Sequence, residues 1–321
     1  MDAIRTEALT KHYSVGFWRP RPYLALEGLT LSVGQGEVFG FLGPNGAGKT
    51  TTLKLLMQLI FPTSGTAQIL GSPVGSADVK RRIGYLPENP YFYDHLTAEE
   101  LLEYFASLFG YGAAERRQRA SRLLDEVGIG AERRLQLRKF SKGMLQRVGI
   151  AQALLNDPEV VFFDEPMSGL DPLGRREIRQ LIIRLRDRGC TVFFSSHVLS
   201  DAEALCSRVA IVARGRLVAS GPLSEILHFQ VHGWELVMSQ VPPQALECAL
   251  KDGRVMKALP LGEGRYALDL PLATPPERLM ADLTGAGAQL VSLNPLRETL
   301  EDFFVRQVAG AKTARGLEGL K

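Results

Sequence analysis

One octapeptide constrains this chain more than any other: Gly43-Pro44-Asn45-Gly46-Ala47-Gly48-Lys49-Thr50, followed by Thr51. It lies between a continuous apolar run, residues 38–42, and a helical stretch, residues 50–60. The pattern GxxxxGK[ST] between a strand and a helix is a phosphate cradle. Its glycines let backbone N–H groups curl around phosphate oxygens, and the N-terminus of the next helix adds partial positive charge. Lys49 can then reach the β- and γ-phosphates, and the Thr50 hydroxyl can ligate Mg²⁺.

Residues 160–165, Val-Val-Phe-Phe-Asp-Glu, are a second fixed point. Four apolar residues read as a strand covered on both faces, and they end on two adjacent carboxylates. Asp164 can hold Mg²⁺ beside the phosphate loop, while Glu165 can orient or deprotonate an attacking water. Residues 191–195 form a third run of this kind. Helical stretches follow the latter two strands at 172–188 and 200–206; in the first of these, Ile178, Leu181, Ile182 and Leu185 line one face behind an Asp171-Pro172 cap. The alternation predicts an α/β fold with a mainly parallel sheet over residues 1–225. A mostly helical insert at about 89–155, with helices at 98–109, 115–127 and 142–155, interrupts it.

These ordered motifs resemble the nucleotide-binding subunit of an ABC transporter, a P-loop NTPase with a helical subdomain, over roughly 70% of the chain. Phe140-Ser141-Lys142-Gly143-Met144 stands where that family carries LSGGQ, and Gln146-Arg147 continues the pattern. Ser168-Gly169-Leu170-Asp171 matches the D-loop, and His197 the switch histidine. Tyr13 shares an N-terminal loop with Phe17, Trp18 and Tyr23 and is placed like the aromatic residue that stacks on adenine. The resemblance implies ATP and Mg²⁺ as ligands. Tyr13, residues 43–51, Ser141, Gly143 and Asp171 would bind ATP. Thr50, Asp164 and Glu88 would serve the metal, and Glu165, His197 and Glu88 the hydrolysis. Ser141 opens a helix, so its hydroxyl and the first amides make an anion-binding start that, in the family, faces the γ-phosphate held by the opposite protomer.

Three positions depart from the family pattern. Glu88 occupies the Q-loop glutamine position, Lys142 replaces a glycine, and Met144 replaces a glutamine. A carboxylate at 88 still accepts from water or approaches Mg²⁺, but cannot donate as an amide does. Such variants, together with a C-terminal extension, resemble the branch serving exporters of drugs, sodium and polysaccharides. The implied partners are a second copy packed head to tail and an integral membrane permease reached through residues 88–92 and the helical insert. The subunit would then sit on the inner face of the cell membrane. The competing class is a non-transport ABC ATPase acting on the ribosome or DNA. Only 92 residues separate Lys49 from Ser141, too few for the long coiled coils of DNA-repair relatives, and the chain carries one nucleotide domain, not two.

Composition narrows this further. A net charge of +3 gives no ground for a nucleic-acid partner, and no run approaches the roughly 18 apolar residues of a membrane span. The N-terminus carries Asp2, Arg5 and Glu7 and has no apolar core of a signal peptide. Cys190, Cys206 and Cys248 show no ligand spacing and read as reduced thiols. The basic clusters at 116–119 and 133–134 read as a solvated helix face. Beyond residue 225 the pattern changes to strand 234–238, helix 243–251, strands 255–259 and 266–270, helix 276–283, strand 289–293 and a final helix 296–308. That order predicts a small ferredoxin-like α+β domain, 226–308, with a loose tail at 309–321.

Overall fold

The computed structural model describes residues 1–16, 21–226 and 231–297. Two units follow one another along the chain, Met1–Leu223 and Ser224–Lys321. The first contains β1 (Asp2–Val15), β2 (Arg21–Gly34), β3 (Val38–Leu42), α1 (Lys49–Leu56), β4 (Ser64–Ile69), β5 (Ser72–Pro73), α2 (Ala77–Arg82) and β6 (Ile83–Leu86). The helical region α3 (Ala98–Leu108), α4 (Ala113–Glu126) and α5 (Lys142–Ala153) comes next. The unit then completes its sheet with β7 (Val160–Asp164), α6 (Pro172–Asp187), β8 (Thr191–Ser196), α7 (Leu199–Leu205), β9 (Arg208–Ala213) and β10 (Arg216–Pro222).

The apolar runs 38–42, 160–163 and 191–195 become β3, β7 and β8, buried along their whole length. Their sheet has the order β10-β9-β3-β8-β7-β6, parallel except for the hairpin strand β10. Phenylalanines weld its middle: the Phe193 ring lies 5.6 Å from Phe39, 5.3 Å from Phe41 and 5.7 Å from Phe162, centroid to centroid. All four are fully buried, each contributing roughly 1.5–3 kcal/mol by leaving water. Residues Ile178, Leu181, Ile182 and Leu185 of α6 are buried as the periodicity requires, and Asp171 caps that helix by accepting from Gly174 N at 2.7 Å.

Two expectations are corrected here. Tyr13 and Tyr23 lie on strands, not in a loop: β1 and β2 pair antiparallel, and with β4 and β5 they form a second sheet ordered β2-β1-β4-β5. Helix α1 stops at Leu56 because Gln58 turns to φ +52°, which breaks the ladder before residue 60. Phe17 and Trp18 fall outside the described residues.

In the helical region Thr97 caps α3 in a reciprocal box with Glu100, worth about 1 kcal/mol. Two arginines of the basic clusters are paired. Arg119 binds Glu115 and Asp157, and Arg133 binds Asp125 and Ser121.

Short helix α8 (Leu223–Ile226) crosses the unit boundary, and the described remainder is β11 (Val231–Ser239), α9 (Pro243–Lys251), β12 (Lys257–Gly262), β13 (Arg265–Pro271), α10 (Pro276–Gly285) and β14 (Gln289–Arg297). The strands form an antiparallel sheet in the order β12-β13-β11-β14, the arrangement that a β-α-β-β-α-β split motif requires. Its helices pack Leu246, Ala249, Leu279 and Leu283 against Leu236, Met238, Leu268 and Leu270. Leu296 and Arg297, expected to begin a helix, instead pair with Gly233 and Val231 at the end of β14. Residues 298–321, with the rest of that expected helix and the tail, lie outside the described residues.

Candidate functional site

Parallel order brings together what the sequence separates. With β8 between β3 and β7, the C-terminal ends of three strands deliver the phosphate loop, Asp164-Glu165 and Ser195–His197 to one edge of the sheet. The loop itself depends on glycine. Gly48 has φ +104°, and a Cβ there would lie 2.5 Å from the Ala25 carbonyl oxygen. Gly43, where a Cβ would meet Val212 O at 2.2 Å, donates its N–H to Ser196 O. Ala47 is buried and ties the loop to Gly215.

Lys49 is 6% exposed, and its ammonium donates to Gly43 O at 2.7 Å and Pro44 O at 3.2 Å. It also stands 3.3 Å from Glu165 Oε1. The other carboxylate oxygen of Glu165 is 2.8 Å from His197 Nδ1. Glu165 reaches both because its backbone adopts φ +52°, a left-handed turn that non-glycine residues take at a cost of about 1–3 kcal/mol. His197 remains 43% exposed at the mouth of the site.

Asp164 is wholly buried. Ser195 Oγ donates to its Oδ1 at 2.6 Å and accepts from Glu165 N at 3.1 Å, so one hydroxyl sets both acids. Burial pushes the Asp164 carboxyl up from its ordinary range, against the Ser195 hydrogen bond and the nearby Thr50 hydroxyl; the Glu165 charge adds to the rise and Lys49 opposes it. Its Oδ2 is buried with no hydrogen-bond partner among the described residues. An orphaned carboxylate oxygen beside a threonine hydroxyl is a donor set suited to a hard divalent cation.

Tyr13, Tyr23, Ala25, Pro44, Asn45, Gly46, Gly48, Lys49, Thr50, Thr51, Glu88 and Glu165 line one open cleft of about 260 Å³. Ser141, Gly143 and Asp171 do not. They line a separate cavity of about 520 Å³ together with Lys142 and Gly169. Ser141 caps α5 by accepting from Met144 N at 3.3 Å. Ser195, Asp201 and Tyr23 carry no local sequence signal that marks them for this site. Tyr23 sits directly across from Tyr13 in the hairpin register.

A phosphate loop, a buried Asp-Glu pair at a strand end and a histidine in contact with that glutamate define a P-loop ATPase. Residues 26–168 match the ABC transporter family model. An ABC transporter ATP-binding protein of Synechocystis sp. is 46% identical over 309 residues, covering 96% of this chain and 85% of the relative. The bacitracin transport ATP-binding protein BcrA of Bacillus licheniformis is 41% identical, covering 70% of this chain and 71% of its own. Among solved structures, the ATP-binding subunit of an ABC transporter aligns with a TM-score of 0.61 at 33% identity, over 70% of this chain and 91% of that one. A dimeric ATP-binding cassette in a post-hydrolysis state with ADP and Pi aligns with a TM-score of 0.63 at 28% identity, over 68% of this chain and 98% of that one. The chain belongs to the ABC transporter ATP-binding proteins: it is an ATP-binding, ATP-hydrolysing transport subunit.

Proposed function

We propose that two copies of this chain enclose ATP in two composite sites and drive an export permease in the membrane. The observation that carries this reading is the separation of the two cavities. Ser141, Gly143 and Asp171 lie outside the cleft of Lys49 and Glu165, leaving the signature helix of one copy free to close over the nucleotide of another.

Each residue then has a task. Tyr13 stacks on the adenine, and the amides of residues 43–51 hold the phosphates. Lys49 contacts Gly43 O, Pro44 O and Glu165. An entering γ-phosphate is a stronger acceptor for the ammonium, and its arrival releases Glu165 toward water. Glu165 takes the proton of that water as its oxygen attacks the γ-phosphorus. The bond to the β–γ bridging oxygen breaks, leaving ADP and phosphate. His197 steers the Glu165 carboxylate through the 2.8 Å contact, and Glu88 accepts from the water at the cleft wall. Thr50, Asp164 and Glu88 would hold Mg²⁺, which supplies charge neutralisation at the β- and γ-phosphate oxygens when bound.

Export as the direction rests on relatives named for bacitracin transport and, in Mycobacterium tuberculosis, fluoroquinolone export. No helix among the described residues is long and apolar enough to cross a membrane; the subunit is held at the cytoplasmic face by its permease. Tyr91, 96% exposed beside Glu88, supports residues 88–92 and the helical insert as the contact region. The domain at 226–308 supports the dimer or regulates it. Affinity capture of the Glu165→Gln chain with ATP, from detergent-solubilised membranes, tests the reading. A stoichiometric polytopic membrane protein is expected. Ribosomal or nucleic-acid partners without one would replace it by the non-transport class.

A further inference from the structure

Four charged side chains are buried among the described residues: Lys49, Asp164, Glu165 and Asp201. The mechanism above uses the first three. Asp201 has no part in it, yet it stands in the first turn of α7, four residues after His197, with 3% of its side chain exposed.

What faces Asp201 comes from a different helix. Arg179 of α6 places Nε 3.7 Å from Asp201 Oδ1, an ion pair too long for a hydrogen bond. That Nε is itself buried and has no hydrogen-bond partner among the described residues. One turn earlier on α6, Arg175 donates from Nε to Leu170 O at 3.3 Å, in the segment that leads into the helix. Burial raises the Asp201 carboxyl above its ordinary range, and the charges of Arg179 and Arg175 oppose that rise. Two arginines on the helix capped by Asp171 therefore address one carboxylate on the helix that leaves His197. Burying a carboxylate is unfavourable unless neighbouring charge compensates it, so packing alone is a poor account of an aspartate here.

We propose that Asp201 is a positioning residue: held by the charges of Arg179 and Arg175, it fixes the first turn of α7 and so sets the approach of His197 Nδ1 to Glu165. This rests on the reading of Glu165 and His197 as the hydrolytic pair. Because α6 begins at Asp171, the same clamp fixes the segment expected to face the second copy relative to the switch histidine. Its hold is mainly by charge. A longer carboxylate across the 3.7 Å gap preserves it, and a neutral amide does not.

The test measures MgATP hydrolysis and thermal melting of the full-length chain. Asp201→Asn lowers kcat about tenfold while KM for ATP changes less than about twofold, because the phosphate loop is untouched. Arg179→Gln gives the same split, and Asp201→Glu keeps kcat within about threefold of the parent. The deciding arm places Asp201→Asn in a His197→Ala background, where single-turnover hydrolysis falls no further, since the clamp acts through the missing side chain. A folded Asp201→Asn chain at the parent kcat overturns the proposal. So does a loss that multiplies in full in the His197→Ala background. Should Asp201→Asn fail to fold, Arg179→Gln carries the same test, and a parent kcat there overturns it equally. Glu165→Gln and His197→Ala alone separate the two levels. Parent-rate hydrolysis in those variants sinks the hydrolytic pair itself, whereas their loss beside an unaffected Asp201→Asn sinks only the clamp.

Discussion

The two units of this chain are both sheets covered by helices, but they bury different things. The core of the second, among the described residues, is apolar throughout, built on Leu236, Met238, Leu268, Leu270, Leu279 and Leu283. Every buried polar or charged side chain that the structure describes lies in the first unit. There, Lys49, Asp164, Glu165 and Asp201 are held out of water, and Asp164 leaves a buried oxygen without a hydrogen-bond partner among the described residues. Each of these features costs stability that an apolar core does not. The contrast separates chemistry from scaffold: the buried charged side chains among the described residues collect at and beside one strand-end site.

That contrast can be broken at graded strengths. The largest effect belongs to Glu165→Gln, which removes the base while keeping the shape. Hydrolysis is expected to fall about a thousandfold with ATP affinity retained, read by phosphate release beside a direct binding titration. Lys49→Ala acts earlier, and the same titration is expected to show ATP affinity weaker by about a hundredfold. Leu268→Ala moves the test to the second unit. Calorimetric unfolding should show a loss of about 2–5 kcal/mol there, while ATP affinity stays at the parent value.

The smallest effect is a gain. Burial raises the Asp164 carboxyl, so the folded chain binds this proton more readily than the unfolded chain. The stability it contributes is present below the unfolded carboxylate range and is lost as pH rises through the raised folded value. Asp164→Asn is therefore expected to lift the nucleotide-free melting temperature at neutral pH, by about 2–4 °C for each kcal/mol recovered. The gain should vanish in acid, and the stabilisation by MgATP should be lost. A nucleotide-free melt unchanged by the substitution at neutral pH would remove the burial cost from the contrast.

Much of the first unit was legible because its signals are local. The phosphate loop, the apolar strand ending in Asp164-Glu165 and the Asp171-Pro172 cap are each read within about eight residues. What was not legible is pairing. Lys49, Glu165 and His197 meet because β8 inserts between β3 and β7, an order that no local pattern encodes. Tyr13 reads as a loop residue in sequence because irregularities between Thr6 and His12 in the β1–β2 register break the two-residue alternation that marks a strand. Ser195 looked like the polar end of a strand, and its bridge between two carboxyls emerges from the neighbouring β7. At the other end, Leu296-Arg297 carried a helical pattern that sheet pairing with Gly233 and Val231 overrode.

The central claim is that one copy supplies the Lys49 cleft and another the Ser141 helix start. Sedimentation velocity of the Glu165→Gln chain, with and without MgATP, tests it most directly when Ser141→Arg is added in the same background. The account predicts a monomer without nucleotide and a dimer with it, and a Ser141→Arg chain that still binds ATP but stays monomeric. An ATP-induced dimer indifferent to Ser141→Arg, or an ATP-saturated Glu165→Gln chain that remains a monomer, would contradict it.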